Sequence, residues 1–247
     1  MTENKKRNLY YCLFDWANSP FSTIVITFVF SSYFTNTIAQ NKIIGTSLWG
    51  WSIALSGIVI ALLCPYLGYM ADKNKSLSRK FLILSTLTVV ICSFSLWFAE
   101  ENINIFLFLG IIIIANIFFE IGQTFYNSQL INFRGREKYG EFSGKAWAFG
   151  YLGGIFCLII ILILFLIPDF SIFKLDQEDY ENIRICGPLV GLWFLIFSFP
   201  FLLNCKNDKS SSNRSYLFSS FLKNLKILSK DRNKLTFLIS RMLYTDG

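Results

Sequence analysis

The stretch Phe14-Asp15-Trp16-Ala17-Asn18-Ser19-Pro20-Phe21 sets an acid, an amide, a hydroxyl and a proline at the entrance to a segment that runs mainly apolar to Phe34. An ionisable group at the bilayer centre costs about 2.5–3.5 kcal/mol on insertion scales unless it faces a bundle interior or a wet cavity. If this segment spans a membrane, Asp15 is a candidate functional residue.

The rest of the chain supports that condition. Its 247 residues are 53% hydrophobic, 18% aromatic and 16% charged, against about 25% charged in ordinary soluble domains. Apolar runs near residues 9–38, 48–71, 81–99, 103–130, 146–167 and 185–204 each reach the ~20 residues that a spanning helix needs. The expected fold is therefore an all-α integral membrane bundle of six spans over residues 1–204. A basic loop follows over 205–233, and residues 234–247 begin a seventh helix. From Leu235 that helix reaches only about 20 Å of a ~30 Å hydrocarbon core.

Charge orients the bundle. Lys and Arg number three in the N-terminal tail, four in 72–80, four in 132–145 and eight in 205–234, all on one side of the predicted membrane. The opposite connections hold Lys42, Lys174 and Arg184. The positive-inside bias thus predicts a cytoplasmic N terminus, in a bacterial cell the inner membrane. The net charge of +7 reflects that orientation and a bilayer partner, not a nucleic acid. Six cysteines without C-x-x-C spacing and no histidine give no metal site. With no nucleophile–base pair or phosphate loop either, neither a cofactor nor an enzyme is expected. In the basic loop, Leu217, Phe218, Phe221, Leu222, Leu225 and Leu228 alternate with Lys223, Lys226 and Lys230, the pattern of an amphipathic helix at an inner leaflet or under the bundle.

Two spans carry polar faces. In the fourth, Asn116, Glu120, Gln123, Thr124, Asn127 and Ser128 recur at three- and four-residue steps, which stacks them along one stripe. In the first, Asp15, Asn18, Ser19 and Ser22 share a face. If the six spans form two inverted three-helix repeats, spans one and four are equivalent and would line a common solute cavity. Asp15, Asn18, Ser19, Asn116, Glu120, Gln123 and Asn127 are its candidate residues. Asp15 keeps an alternative as a helix N-cap with Pro20 as a kink. Glu120 lies too deep to cap, and a carboxyl that is cheaper to hold neutral in a dry site is a candidate proton carrier.

Gly68-Tyr69-Met70-Ala71-Asp72-Lys73 closes the second span and Arg79-Lys80 opens the third. This resembles the loop signature of the major facilitator superfamily, with Gly68, Asp72, Lys73, Arg79 and Lys80 as gating-loop positions, although the usual loop glycine is replaced by Asn74-Lys75-Ser76-Leu77-Ser78. Ala146, Gly150 and Gly154, with Gly153 adjacent, form a small-residue packing seam in the fifth span. Together with Trp49-Gly50-Trp51, Phe119 to Asn127 and Arg241 to Gly247, these motifs resemble the vacuole-effluxer-like branch of that superfamily, over nearly the whole chain. The resemblance implies the N-terminal six-helix half of a twelve-helix carrier for a small solute, with amino acids as the class linked to its fungal members. Three readings stay open: a carrier whose C-terminal half is separately encoded or lies beyond this sequence, a truncated non-transporting remnant, and a membrane assembly module.

Overall fold

The computed structural model describes residues 3–39, 41–73, 75–132, 139–167, 175–204 and 231–246. Among the described residues, six helices are long and apolar enough to cross a membrane: α1 (Lys5–Ile38), α2 (Lys42–Met70), α3 (Leu77–Phe98), α4 (Ile105–Ser128), α5 (Gly140–Leu166) and α6 (Glu181–Asn204). A further helix, α7 (Arg232–Asp246), is exposed through Ser240. The amphipathic pattern at 217–228 lies outside the described residues. The protein is a multi-pass integral membrane protein.

Local chemistry starts these helices where the sequence turns from polar to apolar. The Asn104 side chain accepts from Phe106 N at 2.9 Å and Leu107 N at 3.3 Å, and Asn41 accepts from Ile43 N at 2.8 Å. Each satisfies backbone donors that have no partner in a first turn.

Neighbour relations reveal the internal repeat. Helix α1 packs on α5 and α6, α4 packs on α2 and α3, and α3 packs on α6. Exchanging one with four, two with five and three with six maps this set of contacts onto itself. Successive spans run in opposite directions, so the second set of three is inverted relative to the first. This is the six-helix half of a major facilitator fold. The bundle has a basic end, carrying the N terminus and the α2–α3 and α4–α5 connections, and an opposite end.

Helix α1 is not uniform. It is α-helical over Glu3–Pro20, π-helical over Phe21–Phe28, α-helical over Val29–Tyr33 and π-helical again over Phe34–Ile38. Helix α5 likewise ends in a π-helical turn, Leu162–Leu166. The seam with α4 is aromatic along its length: Tyr11 stacks on Tyr126 at 4.2 Å, Phe21 meets Phe119 at 5.0 Å and Phe34 stacks on Phe108 at 5.3 Å between ring centroids.

At the opposite end a cation lies buried where the sequence shows only a loop charge. Arg184 is 7% exposed. Its Nε donates to Trp97 O at 2.8 Å, Nη1 to Asp179 O at 3.3 Å and Nη2 to Glu100 at 3.3 Å, with the guanidinium 5.2 Å over the Trp97 ring. The side chain ties the α3–α4 connection to the start of α6. Tyr33 adds a bond from its hydroxyl to Ala99 O at 2.7 Å.

Candidate functional site

Asp15 lies deep within the helix Glu3–Pro20, several turns from its start, so it cannot cap an N terminus. It is 6% exposed and Asn18 is 2% exposed. The Asn18 and Tyr126 side chains lie at the Asp15 carboxyl, yet Asp15 Oδ2 and Asn18 Nδ2 are both buried without a partner. Tyr126 directs its own hydroxyl to Tyr11 O at 3.1 Å.

Pro20 shapes the next turn by what it lacks. Having no N–H, it leaves the carbonyl of Trp16, four residues back, without its helical partner. Trp193 of α6 supplies one, donating from Nε1 to Trp16 O at 3.2 Å, while the two indoles stack at 5.9 Å. Trp193→Phe keeps an aromatic ring but orphans that buried carbonyl, and is expected to cost about 1–3 kcal/mol. Thermal unfolding in micelles reads this, and an unchanged midpoint would refute it.

The small-residue seam of α5 closes on the same turn. A Cβ on Gly150 would lie 2.8 Å from Ser19 Oγ, one on Gly153 2.5 Å from Trp16 O and one on Gly154 2.9 Å from Thr23 Oγ1. Ser19 therefore sits against α5, donating to Asp15 O at 2.8 Å.

The polar stripe of α4 divides between two neighbours. Asn116 Nδ2 donates to Ser56 of α2 at 2.7 Å. Thr124 donates to Glu120 O at 3.0 Å, with the Cys64 sulfur at 3.4 Å and the Gly68 Cβ position 3.7 Å from its methyl. Glu120 is half-buried between these groups, and among the described residues no cation pairs with it. Gln123 turns the other way. It joins Asn18, Ser85 and Thr86 around a void of about 10 Å³ between α1, α3 and α4. Asn127 is exposed.

Of the predicted residues, the fold thus sets Asp15 beside Asn18 and Asn18 opposite Gln123, places Asn116 and Glu120 along α2, covers Ser19 with α5 and leaves Asn127 open. Sequence reasoning did not select Ser56, Ser85, Thr86 or Tyr126. The serines Ser78, Ser85 and Ser93, each 1% exposed, recur at seven- and eight-residue steps in α3, a signal for one buried polar face.

In the loop signature, Gly68 packs on Thr124 as above. Asp72 and Lys73 continue the α2 helix to Lys73, and Asn74 lies outside the described residues. Arg79 Nη2 donates to Leu202 O at 3.2 Å and Leu203 O at 3.5 Å, satisfying carbonyls at the C-terminal end of α6 where a cation is favoured. Lys80 is exposed. Arg79 is accordingly engaged inside this bundle.

Comparison with known proteins agrees with this architecture. Residues 132–247 match the family described as "Vacuole effluxer Atg22 like". An uncharacterized MFS-type transporter, YxiO, of Bacillus subtilis (strain 168) is 23% identical over 98% of this chain and 57% of its own length. By these matches the chain resembles the vacuole effluxer-like branch of the major facilitator transporters. An uncharacterized protein of Aquifex aeolicus (strain VF5) is 27% identical over 97% of this chain and 54% of its own. The chain thus spans about half the length of the curated relatives it matches. No solved structure matches it. The family match takes in α5, α6 and α7, whereas the curated relatives align across nearly the whole chain, α1 and α4 included.

Proposed function

We propose that this chain forms one half of a secondary carrier for a small solute, with amino acids as the first class to test, and that the α1–α4 face is one wall of the solute path. The observation that supports the reading most is the meeting of the repeat-equivalent helices α1 and α4, where buried Asp15 lies beside buried Asn18, and Asn18 shares a junction with half-buried Gln123. Glu120 is the proposed proton-carrying group, because it is half-buried without a described counter-cation. The distribution of Lys and Arg supports a cytoplasmic N terminus, and the two bacterial relatives support placement in a bacterial inner membrane.

Alternating access needs an opposing half, so the proposed partner is a second six-helix segment, in line with this chain or separately encoded. The test is reconstitution into proteoliposomes, alone and with such a segment from the source genome, with radiolabelled amino acids and an imposed pH gradient. Gradient-dependent uptake is expected only from the paired sample. Absence of any companion segment, or of flux in the paired sample across the amino-acid panel and other small solutes, would overturn the carrier reading in favour of a non-transporting membrane module.

A further inference from the structure

Towards the basic end, the tight α1–α5 seam opens into a groove of about 450 Å³. Its walls are apolar, chiefly Leu9, Cys12, Phe149 and Leu152, and its rim carries Lys5 and Lys145. Counting 1.5 Å per residue from Lys5 to Cys12 and from Glu141 to Leu152, the lining runs roughly 10 Å along α1 and 16 Å along α5. That depth approximates one leaflet of a ~30 Å hydrocarbon core.

We propose that this groove holds one anionic phospholipid of the leaflet at the basic end, its phosphate on Lys5 and Lys145 and one acyl chain along the apolar walls. The charge on the rim selects the headgroup. Lys5 is exposed within the run Lys5-Lys6-Arg7, and Lys145 pairs with Glu141 in an ion pair whose side chains are 64% and 55% exposed. Such an exposed pair is worth about 0–1 kcal/mol, so a lipid phosphate displaces Glu141 at little cost. A zwitterionic headgroup would bring its own ammonium to these lysines, and a soluble anion has nothing to fill the walls. Basic pockets between spanning helices are suited to anionic headgroups, with each lysine near the surface adding about a factor of five in affinity. The site stands apart from the proposed solute face and does not depend on transport.

Native mass spectrometry of the purified chain, with thermal unfolding in nanodiscs, tests the assignment. Phosphatidylglycerol should be retained and should raise the unfolding temperature over phosphatidylcholine alone. Lys5→Gln and Lys145→Gln should each weaken retention about fivefold, and Leu152→Trp, which fills the groove, should abolish it. Lys42→Gln, on an exposed residue at the opposite end, should leave retention unchanged. Equal stabilisation by phosphatidylcholine, full retention in the Lys5→Gln/Lys145→Gln variant, or the same shift from soluble glycerol phosphate would each overturn the proposal. Circular dichroism of the lysine variants, which alter exposed side chains only, shows that any lost retention is not lost folding.

Discussion

Gly153→Ala is expected to destabilise the bundle more than an alanine at any other glycine of the α1–α5 seam. The added Cβ would lie 2.5 Å from Trp16 O, 2.8 Å from Trp16 Cα and 3.0 Å from its carbonyl carbon. All three are backbone atoms, and they belong to the turn that Pro20 opened and Trp193 pins. At Gly150 and Gly154 the nearest atoms are the side-chain oxygens of Ser19 and Thr23, at 2.8 and 2.9 Å, which rotate away more readily. Overpacking costs about 1–3 kcal/mol, and Gly153→Ala should reach the upper end because α1 and α5 must separate to accept the methyl. Gly57, with nothing within 4 Å of its Cβ position, supplies the control: alanine there should be neutral or stabilising by up to about 1 kcal/mol through helix propensity. Unfolding midpoints in one detergent rank the variants. Equal midpoints for Gly153→Ala and Gly57→Ala would refute the tight approach.

The seam also shows where a sequence stops being readable. Its existence follows from Ala146, Gly150 and Gly154 at four-residue intervals, as the six spans follow from their apolar windows. That Gly153 makes the closest approach does not follow, because it depends on a proline in another helix freeing a particular carbonyl. The π-helical turns of α1 are equally hidden, since Phe21–Phe28 and Phe34–Ile38 look like ordinary apolar helix. One trace of these turns lies in the sequence. Asp15, Ser19, Thr23, Thr27, Ser31 and Thr35 recur every four residues, a spacing that drifts about 40° per step around an α-helix. The wider π turns reduce that drift. Each of the five hydroxyls donates to a carbonyl about one turn back, Thr27 doing so to Ser22, five residues away. The stripe of α4 was legible as polar but not as divided, because which residues meet α2 and which meet α1 and α3 is set by packing angles. For the same reason Arg184 reads as a loop charge and proves to be a buried clamp.

Asp15 and Glu120 occupy different surroundings, and neutralising each should separate flux from stability in different ways. Glu120 is half-buried against α2, its backbone carbonyl held by Thr124 and its side chain without a described counter-cation. Glu120→Gln preserves shape and hydrogen-bonding reach but cannot carry a proton. In the paired carrier it is expected to abolish uptake driven by a pH gradient while leaving solute counterflow and the unfolding midpoint near those of the parent. Asp15 is buried beside Asn18 and Tyr126, with Oδ2 lacking a hydrogen-bond partner. Burying an unpaired carboxylate is costly where a neutral amide is cheaper. Asp15→Asn should therefore raise stability by about 1 kcal/mol and at the same time depress counterflow, because Asp15 lies beside Asn18, which shares a junction with Gln123. Opposite signs in the two measurements are what a polar group retained for function at a stability cost would give. A structural role predicts the reverse, lower stability with flux lost only as folded protein is lost. Counterflow normalised to folded carrier, measured beside the unfolding midpoint for both variants, distinguishes the two. Unchanged gradient-driven uptake in Glu120→Gln would remove Glu120 from the proton path without touching the case for Asp15.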